Sequence, residues 1–313
     1  LVEDKMTAKS KTKAVHAGSK KFTYRYKWWA YGMMLPAFAL LTIFVITPFV
    51  MAVYRSFTDY SAYNENIKFV WFDNYVTILS DVSFIKSLGN VVLMTVIYAV
   101  LMFVLSFLFA LLLIKLTPKM ANVAKVVTYL PFMLSGILLS VIFIFLFSQN
   151  GLFNALRMSH DADGISFATD GIWPYVIIIL PLLWGGFGYN SLVMYAGLLN
   201  IPNAYYEAAE IDGANGWNKL WGITIPNMKN YFVLIIINLI TGGLQMFELP
   251  LMMTSGGPLE KTLTPVLFIF WQKSNPSIPE SAVVAGAILI MIPIAAINLI
   301  VFKLIRSEKS VDE

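Results

Sequence analysis

Six long apolar runs dictate what this chain can become. They lie at 33–54, 91–116, 122–147, 173–199, 231–253 and 282–305. Roughly 20 consecutive apolar residues let an α-helix cross the hydrocarbon core of a bilayer. Only 13% of the residues are charged and 58% are hydrophobic, against about 25% charged in a soluble domain. The chain therefore reads as an all-α integral membrane protein with six transmembrane helices. Pro48, Pro131, Pro181, Pro250 and Pro293 fall inside these runs. Prolines are tolerated there when neighbouring helices or a cavity satisfy the freed backbone groups, so they point to a packed bundle around a pathway rather than a simple anchor. No internal repeat is evident.

Charge sets the expected orientation. The connections 1–32, 115–125, 200–230 and 303–313 hold sixteen Lys and Arg residues, whereas 55–90, 149–172 and 254–281 hold six. By the positive-inside rule the first set is cytoplasmic, together with both termini. Residues 1–30 form a basic arm ending in the interfacial belt Tyr24-Arg-Tyr-Lys-Trp-Trp29, with no small-residue cleavage site after a short apolar run. The net charge of +4 clusters beside span ends, as topology requires, and does not indicate nucleic acid. The absence of cysteine excludes disulfides and thiolate metal sites.

The connection 200–230, a polar island between the fourth and fifth runs, is too long for a tight turn and too patterned for a floppy linker. Pro202 and Asn203 are helix-start chemistry. Glu207 and Glu210 are expected early in a short helix, where the macrodipole favours acids, and Gly213 is expected to end it. Trp217, Leu220 and Trp221 give a second short helix an apolar face, and Pro226 limits its length. A two-helix knuckle between membrane spans is expected.

The spacing of this stretch resembles a known family. Glu207-Ala208-Ala209, three residues, Gly213, nine residues, Ile223, one residue and Ile225-Pro226 is similar to the EAA loop of ABC importer permeases, with Ile225 where that family usually has Leu. The wider string from Leu199 to Ala214 resembles its carbohydrate-uptake branch. In the outer loops, Val70-Trp-Phe-Asp-Asn-Tyr-Val76 resembles the family's Asn-Tyr segment, read here as an amphipathic lid. Met253-Thr-Ser-Gly-Gly-Pro258 resembles its Thr-x-Gly-Gly-Pro turn. The resemblance covers about 70–305; with the charge and hydropathy pattern outside it, the chain is expected to divide into a basic cytoplasmic arm (1–30), the first span and start of an outer loop (31–69), the permease core including the loop 200–230 (70–305) and a cytoplasmic tail (306–313).

It further implies a bacterial or archaeal cytoplasmic membrane protein that is not itself an enzyme. Its partners would be a cytoplasmic ABC ATPase dimer, a second related permease and an extracytoplasmic solute-binding protein, with a carbohydrate as solute. Glu207, Ala208, Ala209, Asp212 and Gly213 would couple the spans to the ATPase, with Glu207 docking and capping and Gly213 turning the chain.

The chain has no Gly-x-x-x-x-Gly-Lys-Ser/Thr phosphate loop, so ATP and Mg are expected on the partner ATPase, and no cofactor on this chain. Gly186-Phe-Gly188 lacks the third glycine of a dinucleotide loop and lies in a span. His16 and His160 lie in separate polar segments. Polar groups inside spans mark the pathway, because burying them in hydrocarbon is costly. The candidates for solute contact are Phe187, Tyr189, Asn190, Gln245 and Glu248, which combine amide and carboxylate groups with aromatic faces. The competing role is helix packing: glycines allow close approach and amides bridge helices. The alternative function is a stand-alone secondary carrier driven by an ion gradient. Only Glu248 offers it an intramembrane carboxylate. A membrane-embedded enzyme is a third class, for which no catalytic constellation is present.

Overall fold

The computed structural model describes residues 27–61, 66–160, 162–272 and 278–309. The basic arm before Lys27 and the end of the tail lie outside the described residues. Among the described residues every named element is a helix, and the one β feature is an isolated bridge between Thr58 and Phe69. It divides into two units, 1–51 and 52–313.

The first unit is a helical run: α1 (Lys27–Leu41), a π-helical turn Thr42–Ile46 and the start of α2 (Thr47–Ser56). The π turn precedes Pro48, which lacks an N–H for a regular ladder. Its side chains from Tyr31 to Met51 are exposed, as suits a helix bathed in hydrocarbon.

The second unit is built on α4 (Val82–Lys115), α8 (Trp173–Leu199), α12 (Lys229–Leu244) and α14 (Glu280–Lys309). Four stretches, Val82–Lys115, Gly136–Met158, Trp173–Leu199 and Glu280–Ile300, join Tyr31–Ser56 as helices long and apolar enough to span a membrane. A sixth span results if the bent pair Gly216–Asn227 and Lys229–Leu244 is counted as one. Three apolar clusters hold the unit together. One, around Met102, Met194 and Met228, joins α4, α8 and α12. A second, around Phe143, Phe147 and Ile178, lies farther along the bundle. The third packs Ile78 of α3 (Asp73–Ser80) and Phe84 against Leu267, Phe268 and Ile290.

Three expectations about the spans are corrected. The second begins at Val82 rather than 91, because the Asp81 carboxylate accepts hydrogen bonds from the backbone N–H groups of Ser83 (2.8 Å) and Phe84 (3.0 Å) and caps α4. The third is not one helix. It runs as α5 (Pro118–Tyr129), a 3₁₀ turn Leu130–Met133 containing Pro131, and α6 (Gly136–Phe147), which restarts on the N-cap Ser135. The fifth is a regular helix from Lys229 to Leu244, leaves helical geometry at 245–247, and turns helical again at Glu248, leading into the π turn Pro250–Thr254. Paired glycines at 242 and 243 weaken its last turn, and the Thr264 hydroxyl captures the Met246 carbonyl at 2.8 Å. Pro181 and Pro293, by contrast, sit inside unbroken helices.

Two asparagines, Asn74 buried and Asn90 half-buried, tie down the connections opposite the knuckle. Asn74 donates to the carbonyls of Ser56 and Thr58, both at 2.8 Å, and accepts from the Ser281 hydroxyl at 3.0 Å. The Asn-Tyr segment is thus a staple to the start of α14, with Tyr75 adding a hydroxyl contact to Ser56 at 2.8 Å. Asn90 donates to the carbonyls of Glu260 (2.6 Å) and Leu263 (3.1 Å) and ties α4 to the loop that follows Thr254. That loop turns through left-handed Ser255 and Gly256 and is crossed by the Thr254–Thr262 hydroxyl pair at 2.7 Å.

Candidate functional site: an interrupted-helix cavity and a protruding knuckle

Two helix breaks meet in the second unit. The break between α5 and α6 presents Gly136, and the break after α12 presents Gln245, Met246, Phe247 and Glu248. Leu139, Leu182, Leu249 and Val266 complete a cavity of about 510 Å³. Backbone leaves helical geometry inside a bilayer only where protein or a wet cavity can satisfy it. In a bundle of continuous helices a site has to be made by side chains alone; here two interruptions supply room and polar groups together. A larger groove of about 600 Å³ lies between α4, α12 and α14, but apart from Thr95 it is lined by aliphatic, aromatic and proline side chains and offers a polar solute little.

Of the five residues singled out in the spans, Gln245 and Glu248 line this cavity and are exposed to it. The other three are placed elsewhere. Asn190 is buried and donates to the Gly186 carbonyl of its own helix at 2.8 Å. Tyr189 stacks on Phe132, with ring centroids 4.8 Å apart. Phe187 packs against Phe109 at 4.9 Å and against the cluster around Met102. The glycines beside them serve packing. A Cβ at Gly188 would collide with the Thr128 carbonyl oxygen, so α8 crosses the end of α5 at backbone contact.

At the other end of α8 the chain forms the knuckle. Helix α9 (Asn203–Ile211) starts on Pro202 without a side-chain cap. Glu207 is its fifth residue and Glu210 its eighth, so the expected capping role of Glu207 and the early placement of both acids are corrected: no acid occupies the first turn. The helix ends as expected at Gly213, with φ +77°. The N–H groups of Gly213 and Ala214 return to the carbonyls of Glu210 (3.1 Å) and Ala209 (2.8 Å), a Schellman closure. Asn215 then caps α10 (Gly216–Lys219), which continues through a π turn and α11 (Ile225–Asn227), one residue past Pro226. This run bends by 68° into α12. The second helix of the knuckle is therefore the bent start of the fifth span rather than a free element.

Two contacts fix the knuckle, and neither was singled out in the sequence. The Tyr206 hydroxyl meets the buried Thr224 hydroxyl at 3.0 Å, and Lys219 pairs with Glu210 at 2.6 Å. Glu207, Ala208 and Asp212 remain exposed and Ala209 is half-buried. Ile211 (87% exposed), Trp217 (66%) and Trp221 (56%) are exposed apolar side chains of the knuckle, the two indoles in edge contact at 5.7 Å.

The family described as binding-protein-dependent transport system inner membrane component matches residues 115–309. The chain belongs to this family. The match takes in both interrupted helices and the knuckle. The lactose transport system permease protein LacF of Rhizobium radiobacter is 29% identical over 297 residues, covering 93% of this chain and 98% of that protein. The sulfoquinovosyl glycerol transport system permease protein SmoG of Agrobacterium fabrum (strain C58) is 30% identical over 239 residues, covering 76% and 77%. Among solved structures, a bacterial ABC transporter involved in the import of the acidic polysaccharide alginate has the same fold. Its chain superposes with a TM-score of 0.77 at 21% identity, over 90% of this chain and 96% of that one. This inner-membrane permease is a multi-pass membrane protein.

Proposed function

We propose that this chain is one of two permease subunits of an ATP-driven, binding-protein-dependent importer that moves a sugar or oligosaccharide inward by alternating access. The observation that carries the reading is the cavity at the meeting of two interrupted helices, joined through α8 and α12 to the protruding knuckle. The names of the relatives, among them the lactose permease protein, support a carbohydrate solute. The excess of basic residues supports a cytoplasmic knuckle and cytoplasmic termini.

In this reading a cytoplasmic ATPase dimer binds ATP and Mg and receives the knuckle in a groove. Helix-in-groove docking uses apolar anchors with polar groups around them; the exposed Ile211, Trp217 and Trp221 take the first role and the exposed Glu207 and Asp212 the second. The 68° bend makes the second knuckle helix continuous with α12, so a push on the knuckle moves the helix that ends at Gln245. An extracytoplasmic binding protein delivers the solute at the opposite end. The second permease is a related but different chain. Extraction in mild detergent, pull-down on this chain and mass spectrometry test the proposal. An ATPase and a second six-span chain in near-equal amounts support it. Recovery of this chain alone under several detergents and crosslinking favours the ion-driven carrier.

A further inference from the structure

The cavity has a sign. Its lining holds one carboxylate, Glu248, and one amide, Gln245, and among the described residues no Lys, Arg or His. The ion pairs Lys86–Glu260 and Lys219–Glu210 lie outside it. Among the lining residues, Gly136 is the first residue of α6, a twelve-residue helix whose start carries a partial positive charge. Glu248 already covers it: a Cβ at Gly136 would fall inside the Glu248 carboxyl group. The partial positive charge of this helix start thus already faces the protein's own carboxyl group. An entering anion meets a like charge in a space bounded mainly by apolar walls, where Coulomb repulsion is stronger than in water. An uncharged sugar meets a carboxylate and an amide oxygen that accept from its hydroxyls, and an amide N–H₂ that donates.

We propose that Glu248 makes this cavity an anion filter, so that the solute passing this chain is an uncharged, hydroxyl-rich molecule rather than a carboxylated, phosphorylated or sulfonated one. Family membership leaves that choice open, since the matched proteins are named for lactose, for a sulfonated sugar and for an acidic polysaccharide. The inference rests on the reading of the cavity as part of the solute path.

The chain contains no cysteine, so single thiols report on the cavity without knowledge of the solute. Gln245→Cys, with Val266→Cys as a second position on the same wall, is placed in the complete reconstituted importer. Modification rates are measured with neutral, cationic and anionic methanethiosulfonates of similar size. The expected result is an anionic-to-neutral rate ratio at least tenfold below that of an exposed control thiol at Leu259→Cys, restored towards the control by Glu248→Gln. Ratios equal to the control, or a depressed ratio that Glu248→Gln leaves unchanged, overturn the filter. The path itself is judged separately, by whether the Gln245→Cys thiol changes its side of access when ATP and vanadate trap the ATPase. One-sided access in every nucleotide state overturns the pathway reading whatever the charge ratio.

Discussion

Gly213 offers the sharpest perturbation of the knuckle, because its geometry separates backbone strain from steric clash. Its φ is +77°, and a Cβ built there meets nothing within 4 Å. Alanine at 213 is therefore penalised by the left-handed conformation alone, about 1–2 kcal/mol for an L-residue. That is a factor of about 5–30 in the balance between closed and open turn. Asparagine adopts this conformation more readily and should lose less. Valine, β-branched at Cβ, should lose most. Gly222→Ala is the control within the same loop, with open space and no positive φ. The assay is limited proteolysis of the turn in the detergent-solubilised chain, whose rate follows the open population when opening is fast relative to cleavage. The expected order of cleavage is Val above Ala above Asn above Gly, with Gly222→Ala at wild-type rate. ATPase retained per inserted chain in a pull-down should fall in the same order. Equal rates for Gly213→Ala and wild type, or an asparagine variant as labile as the valine one, refute the assignment of strain to this turn.

Gly188→Ala meets the Thr128 carbonyl and the Tyr129 Cα, whereas Gly186→Ala meets the movable Met102 methyl; the first should cost about 1–3 kcal/mol and lower the yield of stable detergent-extracted chain, the second little. Asn74→Leu leaves two carbonyls and the Ser281 hydroxyl without their partner. At about 1–3 kcal/mol for each buried group stranded, it should release the start of α14, read by hydrogen exchange at residues 280–285. The Ser83 hydroxyl, hydrogen-bonded to Glu260 at 2.5 Å, lowers the Glu260 carboxyl below its ordinary value against the opposing effect of burial, with Lys86 adding to the lowering. A carboxyl depressed by folding stabilises fully above its unfolded pKa and loses that contribution as pH falls through the folded one. Thermal melts of the wild type should therefore show a small acid-side loss beginning near the ordinary glutamate value of about 4.3, and Glu260→Gln should lack that component.

Much of this protein was legible in its sequence because the bilayer imposes one long-range rule. Apolar length decides which segments cross, and the fourth run, 173–199, matches α8 in the structure. The end of α9 was equally legible, since a local conformation, left-handed glycine, specifies it. Local signals were less reliable for Glu207 and Glu210, whose place along α9 depends on where the helix starts, and that start is Pro202 with no side-chain cap.

The sequence alone could not decide which prolines interrupt a helix and which polar residues share a space. Pro131 breaks a span whereas Pro181 does not, although both lack the same hydrogen-bond donor. The difference lies in the chain around them, where Ser135 restarts a helix after one and α8 continues past the other. Asn190 and Gln245 are both amides within apolar runs, yet one is satisfied by a carbonyl of its own helix and the other opens on a cavity. Composition and spacing count polar groups. Only packing fixes their partners, because a hydrogen bond or a clash is decided over a few tenths of an ångström between segments that are distant in the chain.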